Sequence, residues 1–345
     1  MWERVTPVAG LVAIFVLLPL SVTSADRSEA ALPIDLESYL TDVVGFSRRD
    51  FATLETGAPV TQLLATESKT QVTTFGIVWI NAPLERFVAA QREVETLEQG
   101  DAFPVTRRLS SPPVLGDFKE LRLADDDVDA LRKCRPGSCE IKLDAQALAA
   151  LMSVDWRGAD RTETASRAMQ QMLLRVATTY ERGGNARLPV YRDKGDPISV
   201  EEEFRALLLE IPPLPTFLPP VGAYLLEYPR AWLPGSTSFL YWQETRFGLK
   251  PTIRLNHQTI LETSREVLVL SKMLYASHYF RSALEVRMAV PDQARGGFWL
   301  ATISSSRADG LTGLTGFFVR GRVRSEVARG IQTVLTTTKA RLEGE

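Results

Sequence analysis

Imidazole is scarce in this 345-residue chain: His257 and His278 are its two histidines. Such side chains titrate near neutral pH and suit acid–base chemistry. His257 lies in the alternating run Pro251–Leu261, where Ile253, Leu255, His257, Thr259 and Leu261 share one strand face and Thr252, Arg254, Asn256 and Gln258 the other. His278 follows Tyr275 and precedes Tyr279 at an expected strand break. A hydrogen-bonded histidine in a core or at a sheet edge is the plainer reading of each. Downstream, Ser304-Ser305-Ser306-Arg307-Ala308-Asp309-Gly310 combines hydroxyls with an Arg/Asp pair. A serine hydrolase needs its nucleophile beside histidine and carboxylate, yet no Gly-x-Ser-x-Gly elbow surrounds a serine. A strand ending in an Asp309-Gly310 turn, with Arg307 in a salt bridge, is the plainer explanation of the segment. Trp242, Tyr275, Tyr279 and Trp299 are aromatics with polar tips, suited to a pocket lining or to a core. The expected ligand-contacting set is therefore His257, Tyr275, His278, Tyr279, Trp242, Trp299 and Arg307, with no catalytic residue assigned. The rival expectation is an envelope hydrolase using His257 or His278 with Arg307 and Asp309. No phosphate-cradling glycine loop, His-Glu-x-x-His or calcium loop occurs, so neither cofactor nor metal is expected.

The remaining reactive groups are Cys134 and Cys139, flanking the turn dipeptide Pro136-Gly137. The spacing is not Cys-x-x-Cys, which argues against a redox pair, and zinc would require further histidine or cysteine ligands. A disulfide in an oxidising compartment fits best. Closing so short a loop is worth roughly 2 kcal/mol in the chain-entropy model. Export is consistent with the N-terminus, where Leu11–Val22 is apolar, follows Arg4 and precedes Thr23-Ser24-Ala25. The run is shorter than the about 20 residues of a membrane-spanning helix, so residues 1–25 read as a cleaved signal peptide and the destination as periplasmic or secreted. Forty basic residues nearly balance 42 acidic ones, a composition without the basic face that nucleic acid demands. A local excess, Arg320, Arg322, Arg324 and Arg329 after Phe317-Phe318, fits a solvated helix start or transient contact with an anionic membrane surface.

The elements that must position these groups follow from periodicity. Residues 26–70 read as a leader with short helices, one ending near Gly57. Gln71–Ile80 is β-rich and meets Pro83, a residue suited to a helix's first turn. Leu84, Phe87, Val88 and Gln91 then make a helical stripe. Val105–Leu109 and Glu140–Leu143 are expected strands around a short acidic helix. Asp144–Glu210 is helical: Asp144 caps one helix, Ala165, Met169, Met172, Leu173, Val176 and Tyr180 form the broad face of a second, and Val200–Ile211 is a third. Five prolines between Pro212 and Pro220 impose an extended connector. Strands return from Phe239. Val267–Ala276 is apolar on both faces, as in a covered strand; Phe280, Leu284, Val286, Met288 and Val290 oppose Arg281, Glu285 and Arg287; Phe298–Ser304 comes last. The closing helix aligns Val323, Val327, Ile331, Val334, Leu335 and Leu342, after a glycine-punctuated loop at residues 310–316.

Phe75-Gly76-Ile77-Val78-Trp79-Ile80, followed by Asn81-Ala82-Pro83-Leu84-Glu85-Arg86-Phe87, resembles the opening of START-like (helix-grip) lipid-binding proteins. The closing strand meander and long C-terminal helix are similar to theirs. The resemblance spans residues 71–95 and 236–342, and the helical block departs from it as an insertion. It implies an α+β fold, a curved antiparallel sheet gripping a long C-terminal helix. Residues 71–143 and 221–345 would make that core, with 144–220 as helical insertion and connector. It further implies a non-catalytic carrier holding a lipid or other apolar small molecule between sheet and C-terminal helix. No ligand-contact residue carries over from the family, because no site motif matches.

Overall fold

A computed structural model describes residues 34–344 apart from 159, 212–218, 247–249 and 312–315. The expected signal peptide, most of the proline connector and the glycine-punctuated loop lie outside the described residues, as do the side chains of Arg320 and Arg322. Ten strands are described: β1 (Val60–Leu64), β2 (Gln71–Ile80), β3 (Val105–Arg108), the short pair β4 (Val190–Tyr191) and β5 (Ile198–Ser199), β6 (Ser236–Thr245), β7 (Thr252–Glu262), β8 (Val267–Ala276), β9 (Phe280–Pro291) and β10 (Phe298–Ala308). Eight of them form one open, curved antiparallel sheet in the order β1-β2-β10-β9-β8-β7-β6-β3. The early strand β2 therefore sits beside the last strand β10, and the meander β6–β10 fills the span from there to β3. The helices are α1 (Ile34–Ser38), α2 (Arg48–Glu55), α3 (Leu84–Arg92), α4 (Val94–Leu97), α5 (Asp125–Lys133), α6 (Ala145–Met152), α7 (Arg161–Gly183), α8 (Val200–Leu209), α9 (Pro219–Glu227) and α10 (Gly316–Glu343).

Strand alternation distributes the side chains over two apolar layers. On one face Val78, Ile80, Val267, Val269, Ala289, Phe298 and Leu300 pack under Phe87 and Val88 of α3 and Ile331, Leu335 and Leu342 of α10. On the other, Phe75, Ile77, Leu268, Leu270, Leu284 and Val286 meet Phe204, Leu207 and Leu208 of α8 and Tyr224 and Leu225 of α9. Further along that second face, Leu240, Trp242, Ile253, Leu255 and Tyr275 join the buried stripe of α7, which is Ala165, Met169, Met172, Leu173, Val176 and Tyr180. The helical block thus covers the sheet face opposite α10, and all described elements belong to one compact unit, Leu32–Glu345. The α+β architecture with a terminal helix against a large antiparallel sheet agrees with the sequence reading.

Three local expectations need correction. Val60–Leu64, read within a helical leader, is a strand pairing Val60 with Ile77 and Leu64 with Thr73, which gives β2 an outer neighbour. Glu140–Leu143 joins no ladder; Lys142 donates its amide to the Ser277 carbonyl and Leu143 accepts from the Arg192 amide, so the segment is wedged between two loops. In β9 the register against β10 slips where Arg307 pairs with Ser282 and Ala308 with Phe280. This irregularity turns Phe280 away from Leu284 and Val286 and packs it with Met273, Ala276 and Ala283.

Candidate functional site

Where the ends of β9 and β10 meet the helical block, a cleft of about 740 Å³ opens. Its walls are the loop leading through Lys194, Asp196 and Pro197 into β5, the first turns of α8 (Glu202, Glu203, Ala206), Arg281 of β9 and Asp309-Gly310 after β10. That volume is ordinary for a small-molecule site. Ser199 starts α8 by accepting a hydrogen bond from the Glu202 amide, a normal helix cap. Its lining residues Glu203, Arg281 and Asp309 belong to a chain of ion pairs that continues behind the cleft wall. Asp309 accepts from Lys142 Nζ at 2.5 Å and from Arg281 Nε at 2.6 Å. Glu203 accepts from Arg281 at 3.3 Å and Arg307 at 2.6 Å, and Glu210 from Arg307 at 3.2 Å. Burial raises the Asp309 carboxyl, but Lys142 and Arg281 outweigh it and the group titrates below its usual range.

One group in this network is left over. Asp193 is buried, neither carboxylate oxygen has a hydrogen-bond partner among the described residues, and Lys142 Nζ is 3.9 Å away. Burial pushes the Asp193 carboxyl up, against the pull of Lys142. Lys142, Arg281 and Arg307 thus face four carboxylates: Asp193, Asp309, Glu203 and Glu210. At the cleft mouth Asp196, Glu202 and Lys194 are exposed, and the side chain of none of them forms a hydrogen bond or ion pair among the described residues. The rim is fastened by the disulfide Cys134–Cys139: within its loop Gly137 donates to the Arg192 carbonyl and Cys139 to that of Asp193.

A second polar centre lies beneath α9. Lys272, the one charged residue of β8, is 2% exposed. Its ammonium donates to Asn185 Oδ1 and faces the rings of Phe204 at 4.3 Å and Tyr180 at 5.3 Å. Asn185 is held in that orientation because its amide donates to the carbonyls of Leu225 and Leu226 at the end of α9. Gly184, at φ 58°, allows this approach, since a Cβ there would lie 2.0 Å from the Tyr228 carbonyl oxygen. His257 Nδ1 and Tyr180 Oη are 2.9 Å apart, and Tyr228 stacks on Tyr180 with centroids 5.2 Å apart. Tyr224 and Thr259 hydroxyls pair at 2.8 Å. A cavity of about 10 Å³ remains among these groups. Burial, then the neighbouring Lys272, lowers the His257 pKa to about 3. Burial also lowers that of Lys272 to about 7, against the pull of Glu201.

The sheet face under α10 is tightly joined at one end and polar further across. A Cβ on Gly76 would come within 2.7 Å of Ile331 Cγ2 and 2.8 Å of Leu335 Cδ1, so helix and strand touch directly there. Across the sheet, Arg287 pairs with Glu98 at 3.0 Å and Glu285 at 2.5 Å and donates to Gln91. Gln258 donates to the Gln91 carbonyl, and Asn256 to Gln243. Arg254 Nε, Asn256 Oδ1 and Gln258 Oε1 on β7 are buried without a hydrogen-bond partner among the described residues.

The residues singled out from the sequence do not converge. His257 belongs to the Lys272 centre, whereas His278 pairs with Asp127 at 3.1 Å. Tyr275 donates to the Lys142 carbonyl, Trp242 to that of Asp117 and Trp299 to the Asp292 carboxylate. Tyr279, at φ 57°, accepts from the Lys250 amide. The donors of Arg307 go to Glu203, Glu210 and Gln71, and the carboxylate of Asp309 to Lys142 and Arg281. Neither histidine forms a hydrogen bond with Arg307 or Asp309. Lys272, Lys142 and Asp193 were missed. A lone lysine inside Val267–Ala276 is a legible signal of a special site, whereas nothing local marks Asp193. Among the described residues no cluster of three metal-ligating side chains occurs, and no helix is long and apolar enough to cross a membrane. Neither a protein-family model nor a curated protein matches the chain.

Proposed function

We propose that this chain is an exported, non-catalytic binding protein whose ligand, a small ammonium-bearing or zwitterionic compound, sits in the cleft beside Glu202, Asp196 and Lys194. The observation that carries this reading is the cleft itself: about 740 Å³, lined by Glu203, Arg281 and Asp309, which Arg307 and Lys142 brace from behind through ion pairs. Such cross-linking holds charged side chains still, so little ordering remains for the ligand to impose. Carboxylates outnumber cations along the cleft lining, with Asp196, Glu202, Glu203 and Asp309 against Lys194 and Arg281, and at the mouth the two carboxylates without a side-chain partner among the described residues outnumber the one such ammonium. Complementarity therefore favours a cationic group on the ligand. Export rests on the disulfide and the apolar N-terminal run.

The test is a thermal-shift screen of the full mature chain against basic amino acids, polyamines, dicarboxylates and fatty acids. A ligand at a hundred times its Kd adds about 2.7 kcal/mol of stability, which is readily seen. The reading expects shifts from amines, reduced in Glu202→Gln; shifts confined to dicarboxylates or fatty acids would overturn it. The START-like carrier of an apolar guest stands as the second reading, favoured by the order of elements, with β2 beside β10 and α10 laid along it. Co-purified lipid in a native mass spectrum would favour that alternative. The polar set Arg287, Glu98, Gln91 and Gln258 on that face makes it the weaker of the two.

A further inference from the structure

We propose that Lys272 is an imine-forming amine, a site at which an aldehyde of one or two carbons condenses with the buried Nζ beneath Tyr228. The inference is independent of the cleft. Three features of the geometry converge. First, among the described residues the amine has one acceptor, Asn185 Oδ1, and no carboxylate within ion-pair distance; the rings of Phe204 and Tyr180 face it, and the charge of Glu201 acts on it from further off. Second, it borders a cavity of about 10 Å³ shared with Tyr180, Tyr224, Tyr228, His257 and Thr259. That is roughly room for one water, so a guest must be small or must displace a wall. Third, Tyr228 is only partly buried and packs against Tyr180, Tyr224 and His257, which makes its ring the thin side of the chamber. Burial, by keeping the ammonium near its neutral point at pH 7, supplies the lone pair that condensation needs.

The reaction balances without an oxidant or reductant. The Nζ lone pair attacks the carbonyl carbon to form a carbinolamine. The carbonyl oxygen then leaves as water with the two amine hydrogens, and a carbon–nitrogen double bond remains. The surroundings select this product over the alternative adduct of a neutral lysine, a carbamate from carbon dioxide. A carbamate would bury an anion among aromatic faces and a neutral imidazole, with no cation left to pair with it. The imine is neutral, and once protonated it is a cation over the same ring faces that receive the ammonium.

The experiment treats the full chain at pH 7 with one equivalent of isotope-labelled formaldehyde and cyanoborohydride, which reduces the imine to a stable methylamine. Peptide mass mapping then compares Lys272 with the exposed Lys69 and Lys119. An ordinary lysine is neutral to about one part in several thousand at pH 7. Even after slow entry, Lys272 should be labelled about tenfold faster or more, with a half-maximal rate near pH 7. Tyr228→Ala, which thins the chamber wall, should raise that rate further, and Lys272→Met should abolish the labelled peptide. Labelling of Lys272 at or below the rate of Lys69 in both wild type and Tyr228→Ala would overturn the proposal, as would a Lys272 rate that still climbs beyond pH 9.

Discussion

Replacing Lys272 by methionine should make the protein more stable at neutral pH, although it removes a hydrogen bond. The amine titrates at 10.5 in the unfolded chain and near 7 in the folded one. Each tenfold change in proton affinity is worth 1.36 kcal/mol, so burying the ammonium opposes folding by an amount on the order of 5 kcal/mol. Methionine has a similar length and no charge. The variant leaves Asn185 Oδ1 without its donor, a loss of about 1–3 kcal/mol, and forfeits the contacts with Phe204 and Tyr180. A net gain of about 1–3 kcal/mol remains. The pH dependence gives the sharper signature. Between pH 7 and 10.5 the unfolded chain binds the proton that the folded chain has lost, so wild-type stability climbs with pH across that window. Below pH 7 the opposing term is present in full. The advantage of Lys272→Met should therefore be largest at or below pH 7 and shrink steadily towards pH 10. Urea unfolding at pH 6, 7, 8.5 and 9.5 measures it. A variant less stable than wild type at pH 7, or a gap that stays constant from pH 7 to 9.5, would refute the reasoning.

Gly76→Ala should destabilise the protein by about 1–3 kcal/mol, because the new methyl meets Ile331 and Leu335; Leu335→Ala in the same chain should relieve part of that, giving a coupling detectable in a double-mutant cycle. His257 titrates near 3 when folded and 6.5 when unfolded, so its contribution to stability is lost as pH falls from 6.5 towards 3. At pH 5, His257→Gln should take up about one proton fewer on unfolding, measurable from the slope of stability against pH. Removing the disulfide with paired Cys134→Ser and Cys139→Ser changes should cost roughly 2 kcal/mol, and hydrogen exchange should rise first at the Gly137 and Cys139 amides that anchor residues 192–193. Glu202→Gln should weaken amine binding about two- to fivefold, the worth of one exposed pair, without lowering stability, since Glu202 has no partner to lose.

Much of the architecture was legible because it is written in short-range periodicity. The stripe Ala165–Tyr180 announced α7, Asp144 announced the start of α6, and the two-sided apolar run Val267–Ala276 announced a covered strand. The faces of β7 were legible too: His257 and Thr259 do point to the α7 side, where Ile253 and Leu255 lie. What failed depends on pairing at a distance. Val60–Leu64 becomes a strand only because β2 offers it an edge, and Phe280 changes face because of a slip against β10. The polar centres are less legible still. Arg307 finds Glu203, and Lys142 finds Asp309, across separations of more than a hundred residues, and no spacing rule encodes such partners. The lone lysine in β8 was the exception, a charge in an apolar run that its surroundings must accommodate.

The most direct test of the binding reading is to locate a ligand. Crystals grown with the amine that gives the largest thermal shift should show density in the cleft, with its cationic group against Glu202 and Asp196. Density between α10 and the sheet, with the cleft filled by solvent alone, would contradict the account.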